Sequence, residues 1–159
     1  MDEPDLVRAG DSVTIRRREI DVHVVSTGAP RAVYALLLDG PSWPTWTDFV
    51  RVEIERPGDG GGSVGEIRIN TTRVTRVREQ CVEAIPDRRY AYALLEGLPA
   101  HDYRAVVEIE PDARGGSRIR WRATYFYAGL PGTGWLFHRV LSGFVARTAR
   151  QLAARAAAL

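Results

Sequence analysis

The chain has 159 residues, enough for one domain with a substantial core and too few for two comfortable ones. Apolar residues make up 45% and charged residues 26%, an ordinary balance for a folded protein, and a formal net charge of +2 demands no polyanionic partner. All 22 basic residues are arginine, which excludes Schiff-base chemistry, pyridoxal-phosphate attachment and a P-loop lysine, each of which needs an amine.

Cys81 is the single cysteine, so no disulfide can close within the chain and a reducing, cytoplasmic setting is expected. No apolar run reaches the roughly 18 residues of a membrane-spanning helix, and the acidic start "MDEPDLVRAGDS" lacks the apolar core of a signal peptide. The arginine and alanine bias fits a GC-rich bacterial genome.

Residues 1–14 show no periodicity and are expected to form a flexible arm ahead of one domain spanning 15–159. "RRREIDVHVVSTGAP" alternates, with Ile20, Val22 and Val24 on one face and Glu19, Asp21 and His23 on the other, which predicts a strand. Pro30 suits a first helical turn, and "RAVYALLLDG" continues as a short helix stopped at Asp39-Gly40. Ser42 can cap a second short turn, on which Trp43 and Trp46, three residues apart, share a face.

Alternation then takes over. "VRVEIER", "GEIRIN", "TRVTRVREQCVEAI", "RRYAYALLEG", "HDYRAVVEIEP" and "SRIRWRATYFYAG" predict six strands joined by short turns, an antiparallel meander. From Pro131 to Ala158 the spacing becomes helical. His138, Leu141, Val145, Thr148 and Leu152 recur every three or four residues, flanked by Phe137 and Phe144, with Arg139, Arg147 and Arg150 opposite.

The order predicts an α+β helix-grip fold. A curved antiparallel sheet of about seven strands wraps a long C-terminal helix, and a cavity remains where one helix cannot fill the sheet.

This order, with "STGAPRAVYALLLDGPSWPTW", "VREQCVEAIPDRRYAYALLEG", "DYRAVVEIEPDARGGSRIRWRATY" and "LPGTGWLFHRVLSGFVARTARQLA", resembles the polyketide cyclase/dehydrase and lipid-transport family of the START-like (SRPBCC) helix-grip superfamily. The resemblance covers about residues 18–157. Its pattern is made of apolar and turn positions without a catalytic triad or metal set, so it implies the fold more strongly than an activity. Family members include ligand carriers and aromatase/cyclases.

Parity supplies an inward set. Tyr103 and His101 share a side with Val107 and Ile109; Trp121 and Tyr125 share one with Ile119 and Ala123; Tyr92 sits with Tyr90 and Leu94. The expected ligand wall is Trp46, Tyr92, Tyr103, Trp121 and Tyr125, with Leu141 and Val145 from the helix. Trp46 is expected on the cavity side and Trp43 as a plug behind it. Such a wall suits a flat aromatic or polycyclic molecule; plain core packing is the alternative for each ring.

His101, Tyr103 and His138 are the candidate proton-transfer groups. An arginine of the "GEIRIN" or "TRVTRVRE" strands could turn inward toward a ligand carboxylate or phenolate, although a solvated sheet face is the commoner use. Neither HxH nor HExxH is present, so no metal is expected, and no cofactor.

The expected function is therefore binding of a hydrophobic small molecule (lipid, polyketide or related aromatic) in an internal cavity. The alternative is an aromatase/cyclase-like enzyme acting on a polyketide-type substrate. No nucleic-acid or integral membrane partner is expected, and a homodimer remains open.

Overall fold

The computed structural model describes residues 16–61 and 63–159; the arm expected at 1–14 lies outside them. Strand β1 (Arg17–Ser26) leads through helix α1 (Pro30–Leu38) and a 3-10 turn (Gly40–Thr45) to β2 (Arg51–Arg56). After a short 3-10 turn come β3 (Ile67–Thr71), β4 (Arg76–Ile85), β5 (Arg89–Glu96), β6 (Ala100–Pro111) and β7 (Ser117–Tyr127), and then helix α2 (Gly134–Ala157).

The seven strands form one curved antiparallel sheet in the order β1-β7-β6-β5-β4-β3-β2. β2 to β7 are a meander, and β1 returns to pair with β7, so Ile20 lies opposite Ala123 and Val24 opposite Ile119. This is the helix-grip fold that the change of periodicity predicts. Its boundaries differ modestly. The long strand expected from Thr72 begins at Arg76, because Thr72–Thr75 close a turn through Thr72 N–H donating to the Thr75 carbonyl at 2.8 Å. α2 begins at Gly134 rather than Pro131.

α2 has 24 residues and so spans about 36 Å at ~1.5 Å per residue. Its two halves pack differently for a reason visible in the side chains. Ala149, Leu152, Ala153 and Ala156 are buried in the C-terminal half, where small residues permit close approach. There the loop after β1 is drawn tight. Ser26 Oγ–H donates to the Ala153 carbonyl at 2.6 Å, and a Cβ at Gly28 would lie 2.4 Å from the Ala156 oxygen. Only glycine fits that approach. The other half presents Phe137, Leu141, Phe144 and Val145, bulky residues that line an open space between helix and sheet. Burial of Val145 and Leu152 stabilises the helix's seat by about 1.5–3 kcal/mol each.

α1 starts on Pro30, whose missing N–H belongs to the first turn and needs no partner. Its C-terminal carbonyls do need partners. Arg68 of β3 supplies them, Nη1 donating to the Leu37 carbonyl at 2.8 Å and Nη2 to that of Leu38 at 2.6 Å, while Nε donates to Glu66. The guanidinium also lies over the rings of Trp43 (5.4 Å) and Tyr90 (5.6 Å). Arg68, one of the arginines that could have turned inward toward a ligand, is thus buried and committed to fixing α1 to the sheet.

Candidate ligand-binding cavity

A cavity of about 920 Å³ lies between the sheet and the N-terminal half of α2. Its deep wall is made by Glu79 of β4, Tyr92 of β5, Tyr103 of β6 and Trp121 of β7, its side by Trp43 and Phe49, and its roof by α2. Val50, Val74 and Val140 line it and are also exposed, so the rim runs past β2, the β3–β4 turn and α2. Arg147 of α2 and Asp48 close part of the rim with an ion pair at 2.6 Å.

Local geometry decides which aromatic rings reach this space. Trp43 is buried inside the 3-10 turn and its indole N–H donates to the Leu36 carbonyl at 2.8 Å, which aims the ring at the cavity side. Trp46 ends the turn at φ −140°, leaving the face it was expected to share, and its indole N–H donates to Ser42 Oγ at 3.1 Å. Trp46 is half-buried against Trp43, with ring centroids 5.7 Å apart, and does not line the cavity. The two tryptophans thus exchange the positions expected of them, Trp43 lining the cavity and Trp46 lying against it.

Tyr92 and Tyr103 face inward with ring centroids 6.4 Å apart, and Trp121 Nε1–H donates to the Tyr92 hydroxyl at 3.3 Å. Leu141 and Val145 join them from α2. Tyr125 is fully buried but behind this wall. Its hydroxyl and His138 Nδ1 share a 2.8 Å hydrogen bond. Burial, and after it the positive charge of Arg18, hold the His138 imidazole below its ordinary pKa. His138 therefore belongs with Tyr125 in a helix–sheet contact and does not touch the cavity.

His101 is exposed on the outer face, opposite Phe126 of β7. The cause is a β-bulge between His101 and Arg104, with Asp102 at φ +48°, which inserts one residue and breaks the parity on which His101 was placed beside Tyr103.

Glu79 was missing from the sequence expectations. It shares the parity of Val77 and Cys81, both buried, and that alternation was the signal that could have placed it inward. Asn70 Nδ2 donates to Glu79 Oε2 at 2.8 Å. Arg68 stands directly opposite Glu79 in the β3–β4 register, but its guanidinium is turned to Glu66 and the end of α1. Among the described residues no cation therefore lies within ion-pair distance of Glu79. Burial pushes its carboxyl up to about 7, with the charge of Arg68 and the Asn70 hydrogen bond acting in the opposite direction. Burial likewise raises the Tyr92 and Tyr103 hydroxyls, and a charged Glu79 raises both further.

A curved antiparallel sheet gripping one long C-terminal helix defines a START-like helix-grip fold, here with an aromatic cavity and the half-buried Glu79 between the two. The profile of the "Polyketide cyclase / dehydrase and lipid transport" family matches residues 17–158, and the chain belongs to that family. No curated protein matches the chain. Among solved structures, a START superfamily protein from Mycobacterium smegmatis aligns with TM-score 0.73 at 13% identity, covering 87% of this chain and 96% of that one. The di-domain ARO/CYC StfQ of the steffimycin biosynthetic pathway aligns with TM-score 0.73 at 16% identity, over 88% of this chain and 51% of StfQ. Thalictrum flavum norcoclaurine synthase, solved as a point mutant with a transition-state analogue, aligns with TM-score 0.71 at 15% identity over 91% of this chain and 96% of that one. At these identities the likeness is one of fold.

Proposed function

We propose that the protein binds a hydrophobic small molecule in the cavity beneath α2. The observation that supports this most is the wall itself: Trp43, Phe49, Tyr92, Tyr103 and Trp121 around about 920 Å³, within the range of small-molecule sites. Tyr92, Tyr103, Trp121, Leu141 and Val145 contact the ligand in this reading, while Trp46 and Tyr125 support the wall from behind. The free, buried thiol of Cys81 suits a reducing compartment, and we place the protein in the cytoplasm with no nucleic-acid partner. No described helix is long and apolar enough to cross a membrane.

The test is native mass spectrometry of protein purified from its own host, together with titration of the neutral fluorophore phenylnaphthylamine. A bound mass that shares its site with the fluorophore supports the reading. Absence of both, from protein with an intact circular dichroism spectrum, would sink it.

Glu79 favours a second reading, an aromatase/cyclase-like enzyme. A carboxyl poised near neutral pH on the cavity wall has the proton affinity that general acid–base catalysis requires. In that reading Glu79 accepts a proton from carbon beside a substrate carbonyl, and the Tyr103 hydroxyl hydrogen-bonds the oxygen that gains charge. Loss of product formation in Glu79→Gln, with substrate still bound, distinguishes it from simple carriage.

A further inference from the structure

The cavity's charges are unevenly placed: exposed Arg73 and the Arg147–Asp48 pair line its rim, and Glu79 stands on the aromatic wall. On this deep wall the carboxylate's cross-strand arginine is committed elsewhere, so only the Asn70 amide compensates it directly. Asn70 is itself 1% exposed, and its Oδ1 has no hydrogen-bond partner among the described residues. Glu79 is thus the acceptor that a ligand can reach, while Asn70, which does not itself line the cavity, steadies it. Tyr92, Tyr103 and Trp121 line the same deep wall, and aromatic faces attract cations. An apolar ligand end would strip water from the half-buried Glu79 without pairing its charge, and an anionic end would repel it.

From this arrangement we infer that the ligand is a hydrophobic amine, seated with its protonated nitrogen against Glu79 and its rings among Tyr92, Tyr103 and Trp121. The inference rests on the ligand-binding reading above and adds the chemical class. Besides the Asn70 amide, an ammonium provides a second donor and a positive charge in direct contact with Glu79, and it forms the shorter, charge-assisted hydrogen bond. A neutral hydroxyl provides only the donor. The Glu79 carboxyl stays raised although the charge of Arg68 and the Asn70 hydrogen bond act to lower it, so an ammonium in direct contact would draw it down further.

The test uses three probes with the same ring system, naphthylethylamine, naphthylethanol and naphthylacetate, titrated into the full chain at pH 8 by isothermal calorimetry. The amine should bind about tenfold more tightly than the alcohol, the scale of one charge-assisted contact, with the carboxylate weakest. In Glu79→Gln the advantage of the amine over the alcohol should vanish. If the alcohol binds wild type as tightly as the amine, the inference fails and the ligand-binding reading stands. Should none of the three bind while phenylnaphthylamine does, the amine class is again excluded; should no probe bind at all, the cavity reading falls with it. If Glu79→Gln does not fold, the ranking on wild type alone decides.

Discussion

Asn70 Nδ2 donates to Glu79 Oε2 at 2.8 Å across adjacent strands, while Arg68, the residue in register with Glu79, points away to the end of α1. One strand thus carries two inward polar residues with opposite duties. Arg68 completes the scaffold, and Asn70 steadies the Glu79 carboxylate on the cavity wall. The division explains how the sheet can set a buried guanidinium beside a half-buried carboxyl without an ion pair, although the Arg68 charge still draws the Glu79 carboxyl down.

Stability should fall as pH rises toward neutrality. The Glu79 carboxyl is held at about 7 in the fold against an ordinary 4.5, so the folded chain binds the extra proton between these values. Its favourable contribution is complete below about pH 4.5 and is lost as pH rises through 7. Facing it are Arg68 and Asn70 of β3, Tyr92 of β5 and Tyr103 of β6. Glu79→Gln should therefore stabilise the protein at pH 8 by on the order of 2–3 kcal/mol and change little at pH 4.5. Urea denaturation at both pH values checks this; equal midpoint shifts would contradict it.

Arg68→Met should destabilise by about 3 kcal/mol or more, because it orphans the carbonyls of Leu37 and Leu38 and leaves Glu66 unpaired. Arg68→Lys should recover little, since one ammonium cannot reach three acceptors in a planar fork. Gly40→Ala should act through the same group. Its Cβ would lie 2.9 Å from the Arg68 guanidinium, an overpacking cost of about 1–3 kcal/mol. Thermal melts of the three variants give the ranking.

Trp43, rather than Trp46, should govern ligand affinity. Trp43→Phe should keep the wall closed yet weaken phenylnaphthylamine binding by about 1 kcal/mol, whereas Trp46→Phe should leave it within about 0.5 kcal/mol of wild type. The reverse order would return the cavity face to Trp46.

His101→Ala should be silent in both stability and probe binding, as befits an exposed residue on the outer face. Tyr125→Phe should cost about 1 kcal/mol through the lost hydrogen bond to His138, with probe affinity unchanged. A large loss of binding in Tyr125→Phe would show that the His138 end of α2 communicates with the cavity.

The pattern of these outcomes marks what is legible in the chain. Period-2 alternation carries the strands, and the Leu141-Val145-Thr148-Leu152 spacing carries α2, because both express burial on one face. Parity fails where the backbone departs from regularity. The bulge at Asp102 turns His101 outward, and the end of a 3-10 turn sends Trp46 behind Trp43; both depend on local φ values that side-chain periodicity does not encode. Glu79 is a different case. Its place among inward residues is readable, but that it stays unpaired depends on where the Arg68 guanidinium goes, and this follows from the distant end of α1.

The placement of the four tryptophans makes the protein its own optical reporter. Trp43 and Trp121 form part of the cavity wall, Trp46 stands one ring behind it, and Trp135 is 61% exposed on the far side of α2. Blue-shifted emission from the first two should respond to whatever enters, while iodide can silence the solvent-facing indole selectively. Occupancy could then be followed without a dye, in unlabelled protein, with the Trp135 contribution removed by the quencher.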